Sequence, residues 1–150
     1  MSKNKKLKLF AETAEDLKVI STMCQDAVGV KSKLRWHKKD KMFSLIINRV
    51  MWEALDDISG ERIHPERVQS IICFRWVISV KSRGFNLEER DNHFSLLSIN
   101  YDNLKGSNHI RLIFSGNLEI FLQVEYLEAF LQDIGEAYPS ITEKLPRHEI

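Results

Sequence analysis

Hydrophobic and polar positions change period along this chain, and the change divides it into elements. Leu17, Ile20, Cys24 and Ala27 recur at helical spacing near the N-terminus. Thr13 stands where an N-cap belongs, Asp16 completes a capping box three residues on, and Gly29 can end the helix. Near the other end Leu127, Phe130, Leu131 and Ile134 follow the i, i+3, i+4, i+7 pattern, and Gly135 stands at the C′ position. The spacing therefore predicts an N-terminal helix and a C-terminal amphipathic helix, each with its apolar stripe in the core.

Between them the period is two. Leu34 and Trp36 alternate with Arg35 and His37, and Phe43, Leu45 and Ile47 form the next apolar set. A four-residue loop at 38–41 places Trp36 opposite Phe43 and Leu34 opposite Leu45, with both pairs on one face. Residues 68–83 alternate for longer than an ordinary strand of about 5–6 residues, which predicts a bulge, a sharp bend or two strands there. Ile72, Phe74, Trp76, Ile78 and Val80 are expected to face one way, and Arg75, Ser79, Lys81 and Arg83 the other.

Strands are also predicted over Phe94–Tyr101, Ile110–Phe114 and Leu118–Val124. A three-residue loop at 115–117 pairs Phe114 with Leu118, Leu112 with Ile120 and Ile110 with Leu122, which makes one face wholly apolar. A two-residue loop mixes the faces, so burial selects the longer one. Asn117 then takes the left-handed position, which Asn tolerates.

The resulting fold class is α+β, with six to seven antiparallel strands in a bent sheet or open barrel between the two helices. That element order resembles the pleckstrin-homology-like architecture, in which a C-terminal helix plugs a bent sheet. The alternative is a plain α+β sheet with both helices on one face. The 150 residues suit a single domain, 1–150, with an ordered core of about 7–138 and loosely ordered ends.

Several classes are disfavoured by composition. Hydrophobic residues at 43% and charged residues at 29% are ordinary globular usage. Cys24 and Cys73 form no metal or redox spacing and sit among apolar neighbours, so buried free thiols and a reducing compartment are expected. No run approaches the roughly 20 apolar residues of a membrane span, and residues 7–10 are too short for a signal-peptide apolar region. The reading is a cytoplasmic protein.

Charge is unevenly placed. Residues 1–41 carry a net +6 and residues 42–150 a net −5, giving the overall +1. Such asymmetry points to an anionic partner or to two chain ends lying side by side.

The stretches LKLFAETAEDLKVIS, INRVMWE, KSRGF, SLLSI and LEAFLQDIGE resemble the domain-of-unknown-function family 2948, over roughly Leu7 to Glu136. The resemblance implies a small bacterial cytoplasmic protein. It carries no activity, cofactor or catalytic residue.

Reactive groups at diagnostic spacing are lacking. The chain contains no phosphate-binding glycine loop, no H-E-x-x-H and no G-x-S-x-G. No two of the five histidines lie at i, i+4, although His37, His93 and His109 flank predicted strands and could meet in space. The pairs Asp56-Asp57 and Glu88-Glu89 lie in polar loops and read as solvated turns. The loop 84–92 is charged, with Phe85 a potential anchor for a partner. No cofactor, metal or catalytic residue is expected.

The richest constellation is basic. Residues 31–41 read KSKLRWHKKDK, and as a strand they place Lys31, Lys33, Arg35 and His37 on one face. Lys38, Lys39 and Lys41 extend the stripe into the loop. Arg75, Lys81 and Arg83 form a second patch. These nine Lys and Arg side chains are the candidate anion-binding residues, able to track phosphates or to act only as a solvated face. Trp36 points inward by parity and is not a base-stacking platform.

A non-catalytic interaction domain is thus expected, with a protein partner ranked first and nucleic acid or another polyanion second. An enzyme of unknown reaction is the third reading. A continuous basic surface favours the polyanion, and an exposed apolar patch favours the protein.

Overall fold

The computed structural model describes residues 6–55, 66–85 and 92–139. Asp56, Asp57, Glu88, Glu89, His64, His148 and most of the loop 84–92 lie outside the described residues. The elements are β1 (Lys8–Ala11), α1 (Ala14–Met23), β2 (Ala27–Val30), β3 (Arg35–His37), β4 (Met42–Val50), β5 (Glu66–Arg75), β6 (Val77–Arg83), β7 (His93–Leu104), β8 (Ser107–Phe114), β9 (Leu118–Val124), β10 (Ala129–Asp133) and β11 (Tyr138–Pro139). Short 3-10 turns cover Lys31–Lys33 and Trp52–Leu55.

The strands form one eleven-stranded antiparallel sheet with the order β1-β10-β5-β4-β2-β7-β8-β9-β6; β3 joins β4 and β11 joins β5. The expected six to seven strands with a C-terminal helix are overturned. Among the described residues there is one α-helix, and a strand precedes it. No helix among them is long and apolar enough to cross a membrane.

The missing C-terminal helix has a specific cause. Residues 129–133 form β10, whose inner positions are Ala129, Leu131 and Asp133. An aspartate on the inner face hides the two-residue period. The outward Phe130 and neighbouring Leu127 and Ile134 then mimic a helical stripe.

A bend closes the architecture. Trp76 alone separates β5 from β6, and it adopts a left-handed φ of 60°. Beside it, residues 125–128 separate β9 from β10, so two paired strands turn together. Arg75 N donates to Glu128 O (2.9 Å), Val77 N to Lys41 O (2.9 Å), and Glu125 N to Trp76 O (2.8 Å). β5 and β6 therefore lie far apart along the path of strands yet are joined covalently, and the sheet curls round an interior. The long alternating segment 68–83 is two strands about a sharp bend, with a further register shift between Val77 and Ser79. That shift turns Ile78 outward and buries Val77.

The predicted registers at two hairpins are found. Trp36 opposes Phe43 across the 38–41 loop, but β3 begins at Arg35, so the expected Leu34–Leu45 pair is not part of the ladder. Phe114 opposes Leu118, Leu112 opposes Ile120 and Ile110 opposes Leu122, with Asn117 left-handed at φ 64°. The Thr13–Asp16 capping box is also present: Asp16 N donates to Thr13 Oγ1 at 3.1 Å, and Thr13 N to Asp16 Oδ2 at 3.2 Å. The helix ends at Met23, however, because Asp26 takes the left-handed position (φ 66°) and residues 27–30 pair as β2. Gly29 lies within that strand. Leu17, Ile20, Cys24 and Ala27 are buried as expected, in one core with Phe43, Phe74, Phe114 and Leu131.

Candidate interaction surface

Chemistry inside the molecule centres on Arg49, which is fully buried on β4. Its Nε and Nη2 donate to the two oxygens of Asp133, each at 3.0 Å. Nη1 and Nη2 also donate to the two oxygens of Glu53, at 2.9 and 2.8 Å, and Nη1 reaches Val50 O at 3.3 Å. All five guanidinium N–H groups are thereby used. Asp133 is equally occupied: its Oδ1 also accepts from Ser70 Oγ at 2.7 Å, and its Oδ2 from Leu7 N at 2.9 Å.

Burial pulls the Asp133 and Glu53 carboxyls upward, but hydrogen bonds from Arg49, joined at Asp133 by Ser70 and Leu7, hold both below the ordinary carboxylate range. Burial works against the Arg49 charge, yet the two carboxylates raise its pKa. Nearby, burial pushes the Cys24 thiol up to about 12, far from the thiolate a nucleophile needs. Burial also raises Cys73. Both cysteines are free and buried. With every donor and acceptor engaged, the cluster ties β1, β4, β5 and β10 together and leaves no polar atom of Arg49 for a substrate.

His37, His93 and His109 stand on β3, β7 and β8 and do not gather. Among the described residues, no three His, Cys, Asp or Glu side chains are placed to hold a metal ion.

The candidate cations divide. Lys31 and Lys33 lie in a 3-10 turn rather than a strand, so the stripe does not run as one strand face; Lys31 Nζ stands 5.7 Å over the Phe85 ring. Phe85 itself packs edge-on against Phe114 with ring centroids 5.9 Å apart. Lys33, Lys38 and Lys39 are exposed. Lys41 is left-handed at φ 52° and pairs with Glu125 at 3.2 Å. Arg75 lies 5.7 Å over the Trp76 ring and 4.0 Å from Glu128, whose other oxygen accepts the Trp76 indole N–H at 2.6 Å. Lys81 and Arg83 project from β6, beyond the bend, where Arg83 pairs with Glu119 at 3.4 Å. Trp36 is half-buried against the core.

Directly opposed residues share a side of a sheet. Leu9, Leu131, Ile72 and Leu45 form an inward row across β1, β10, β5 and β4. The neighbouring rows therefore face outward: Lys8, Gln132, Ile71 and Ile46 in one, and Phe10, Phe130, Cys73, Ser44 and Arg35 in the next. A third outward row holds Arg75, Met42 and His37. Arg35, His37 and Arg75, taken from both basic segments, thus share one face with Phe10, which is 62% exposed, and with half-buried Phe130, Ile71 and Ile46. The Phe10 and Phe130 rings lie 6.2 Å apart, and Lys8 Nζ sits 5.5 Å from the Phe10 centroid. Glu128, just before β10, stands opposite Arg75 and brings an acid to the third row.

Sequence reasoning missed the apolar half of this face. The signal was the run Ser70-Ile71-Ile72-Cys73-Phe74, where both parities are apolar, as in strands covered on both sides.

Among known proteins, a family described as "Protein of unknown function (DUF2948)" matches residues 7–148. No curated protein and no solved structure matches the chain. The chain belongs to the DUF2948 family.

Proposed function

We propose that this DUF2948 protein is a non-catalytic interaction domain that binds a protein partner through the outer face of β1, β10, β5, β4 and β3. One observation carries the reading: Phe10, Phe130, Ile71 and Ile46 stand in adjacent outward rows, while α1 sends Leu17 and Ile20 into the core on the opposite side. An antiparallel sheet whose outer face meets only water carries polar residues there, and on this face Phe10, Phe130, Ile71 and Ile46 interrupt the polar Lys8, Gln132, Ser44 and Arg35. Contiguous apolar surface of this kind marks interaction sites. Arg49, the most deeply buried charge among the described residues, has no unused donor, which further favours a non-catalytic role.

Binding of a polyanion is the second reading, and exposed Lys33, Lys38 and Lys39 favour it. Against it, Lys41, Arg75 and Arg83 each stand beside a glutamate, so the two basic segments do not merge into one unopposed surface.

Affinity purification from the native cell, with and without nuclease, tests the proposal. The wild type is compared with a Phe130→Ser, Ile71→Thr double variant whose circular dichroism matches it. Protein partners that survive nuclease and vanish with the variant are the expected result. Partners lost on nuclease treatment, or retained by the variant, would sink it.

A further inference from the structure

We infer that the free edge of β6 takes up an extended peptide of a partner protein, one in which apolar and acidic residues alternate. This site is separate from the outer face proposed above. β1 and β6 are the two ends of the path of paired strands. α1 packs on β1 and on β7, so the opening beside β1 is covered. Among the described residues no strand pairs with β6 on the side away from β9, and the one backbone bond it makes there is Val77 N to Lys41 O, at the bend. The chain from Lys31 to Lys41 runs along this edge. That bond ties it at the bend, and at the other end Lys31 Nζ lies over the ring of Phe85, two residues beyond β6. Between the two ties the segments run antiparallel without a ladder, because β3 pairs only with β4. Burial marks the same seam. Val80 and Ser82 share the inward side with the buried Leu122 and Ile120 of β9. Yet Val80 is only half-buried and Ser82 is exposed, and across the seam Leu34 and Trp36 are half-buried.

Backbone and side chains together select the occupant. In an edge strand alternate residues turn both N–H and C=O to the free side, and another extended backbone matches that row. Its inward side chains would meet Val80, Leu34 and Trp36, which calls for apolar residues at every second position. Its outward side chains would meet cations. Lys81 and Arg83 project outward from β6, and Lys33, Lys38 and Lys39 are exposed along the 31–41 segment. Glu119 answers Arg83, Glu125 answers Lys41, and Asp40 lies within the segment. Lys33, Lys38, Lys39 and Lys81 have no ionic partner among the described residues. Lysine on an edge guards it against indiscriminate pairing, and acids at alternate positions of the incoming strand answer that guard. A second copy does not fit. Antiparallel pairing of two β6 edges centred on Val80, Lys81 or Ser82 sets Lys81 or Arg83 of one copy opposite or diagonal to those of the other. Ser79–Arg83 pairs with β9 without a break, so the matching peptide has about five or six residues and spans roughly 17 Å.

The test selects random ten-residue peptides, displayed on phage, against the immobilised full chain. The expected winners alternate apolar residues with Asp or Glu. The best of them is synthesised, and its addition should slow hydrogen exchange of the free-edge amides of β6 and leave β1 unchanged. Methylating its backbone nitrogens at alternate residues reads the binding mode directly: one parity should abolish binding and the other should leave it intact. A Lys33→Glu, Lys81→Glu variant of unchanged circular dichroism should bind the peptide on the order of tenfold more weakly. Replacing the peptide's acids by lysine should restore binding to that variant. The Phe130→Ser, Ile71→Thr variant should bind the peptide as the wild type does, so the outcome here and the fate of the outer-face reading are read separately. No selected peptide, winners without the alternation, equal effects of the two methylation parities, or an affinity indifferent to charge reversal overturns the inference. Protection that falls on β1, that is already present on the free edge of β6 without peptide, or that arises from dimerisation of the chain overturns it as well.

Discussion

Arg49 shows what a buried charge does when it is fully matched. Two carboxylates hold its planar guanidinium in bidentate pairs, and Asp133 is held in turn by Ser70 and by the backbone of Leu7. Removing one member leaves the others desolvated. Arg49→Met should therefore cost about 3–5 kcal/mol in urea unfolding at pH 7, and a further Asp133→Leu change should recover much of that loss. Full additivity of the two substitutions would show that they act separately. Acid provides an independent check. Asp133 and Glu53 titrate below their unfolded-chain values of roughly 4, so their contribution is complete above that pH and is lost as pH falls through the lower folded values. In Arg49→Met the buried Asp133 loses the partner that lowered it. The stability gap between wild type and variant should then narrow from pH 7 to pH 3. A gap independent of pH would mean that the carboxylates gain nothing from Arg49.

At the scale of elements, legibility depended on whether burial and chemistry agreed. The Leu118 register and the Trp36–Phe43 pair were readable because one face is wholly apolar, and a shift of one residue would expose it. The Thr13 cap was readable because capping is local. β10 was not, because its inner positions end on Asp133, inward only because Arg49 of another strand waits there. No local pattern reveals a partner 84 positions away. The basic face was half legible for the same reason: charge types can be read along the chain, but Arg35 and Arg75 share a side only through the register of β3, β4 and β5. The strand assignment of β10 makes a sharp forecast. Leu131 is fully buried, whereas Phe130 faces outward. Leu131→Ala should cost about 2–5 kcal/mol, as core truncations do. Phe130→Ala, on the outer face, should stay closer to the roughly 0.5 kcal/mol of surface changes. Equal losses in chemical denaturation would favour the helical stripe that contains both.

The whole molecule is held closed on two sides by different means. On one side the bent strands β5–β6 and β9–β10 pass continuously from one half of the sheet to the other, with backbone hydrogen bonds through the bend. On the other side β2 bridges the halves: it pairs with β7 over four residues but with β4 only at Val28 opposite Asn48. Close packing has to compensate for so short a ladder, and Gly29 permits it. A Cβ there would overlap the Phe94 ring and come within 2.8 Å of the Ile46 carbonyl oxygen. The backbone of Gly29 is ordinary strand, so its value lies in close approach and not in conformational freedom. The ring can shift, but the carbonyl belongs to a strand fixed by β5. Gly29→Ala should thus force β2 away from β4 and cost about 1–3 kcal/mol, as overpacking does. The same reasoning locates the first opening of the native state. Amides of β2 should exchange with solvent at lower free energy than those of β5 and β9, because a short seam opens without unfolding the rest. Gly29→Ala should lower that local free energy further and leave exchange of the β9 core amides limited by global unfolding. If β2 amides exchange as slowly as those of β5, or if the substitution is neutral in denaturation, the seam is not where the sheet is weakest.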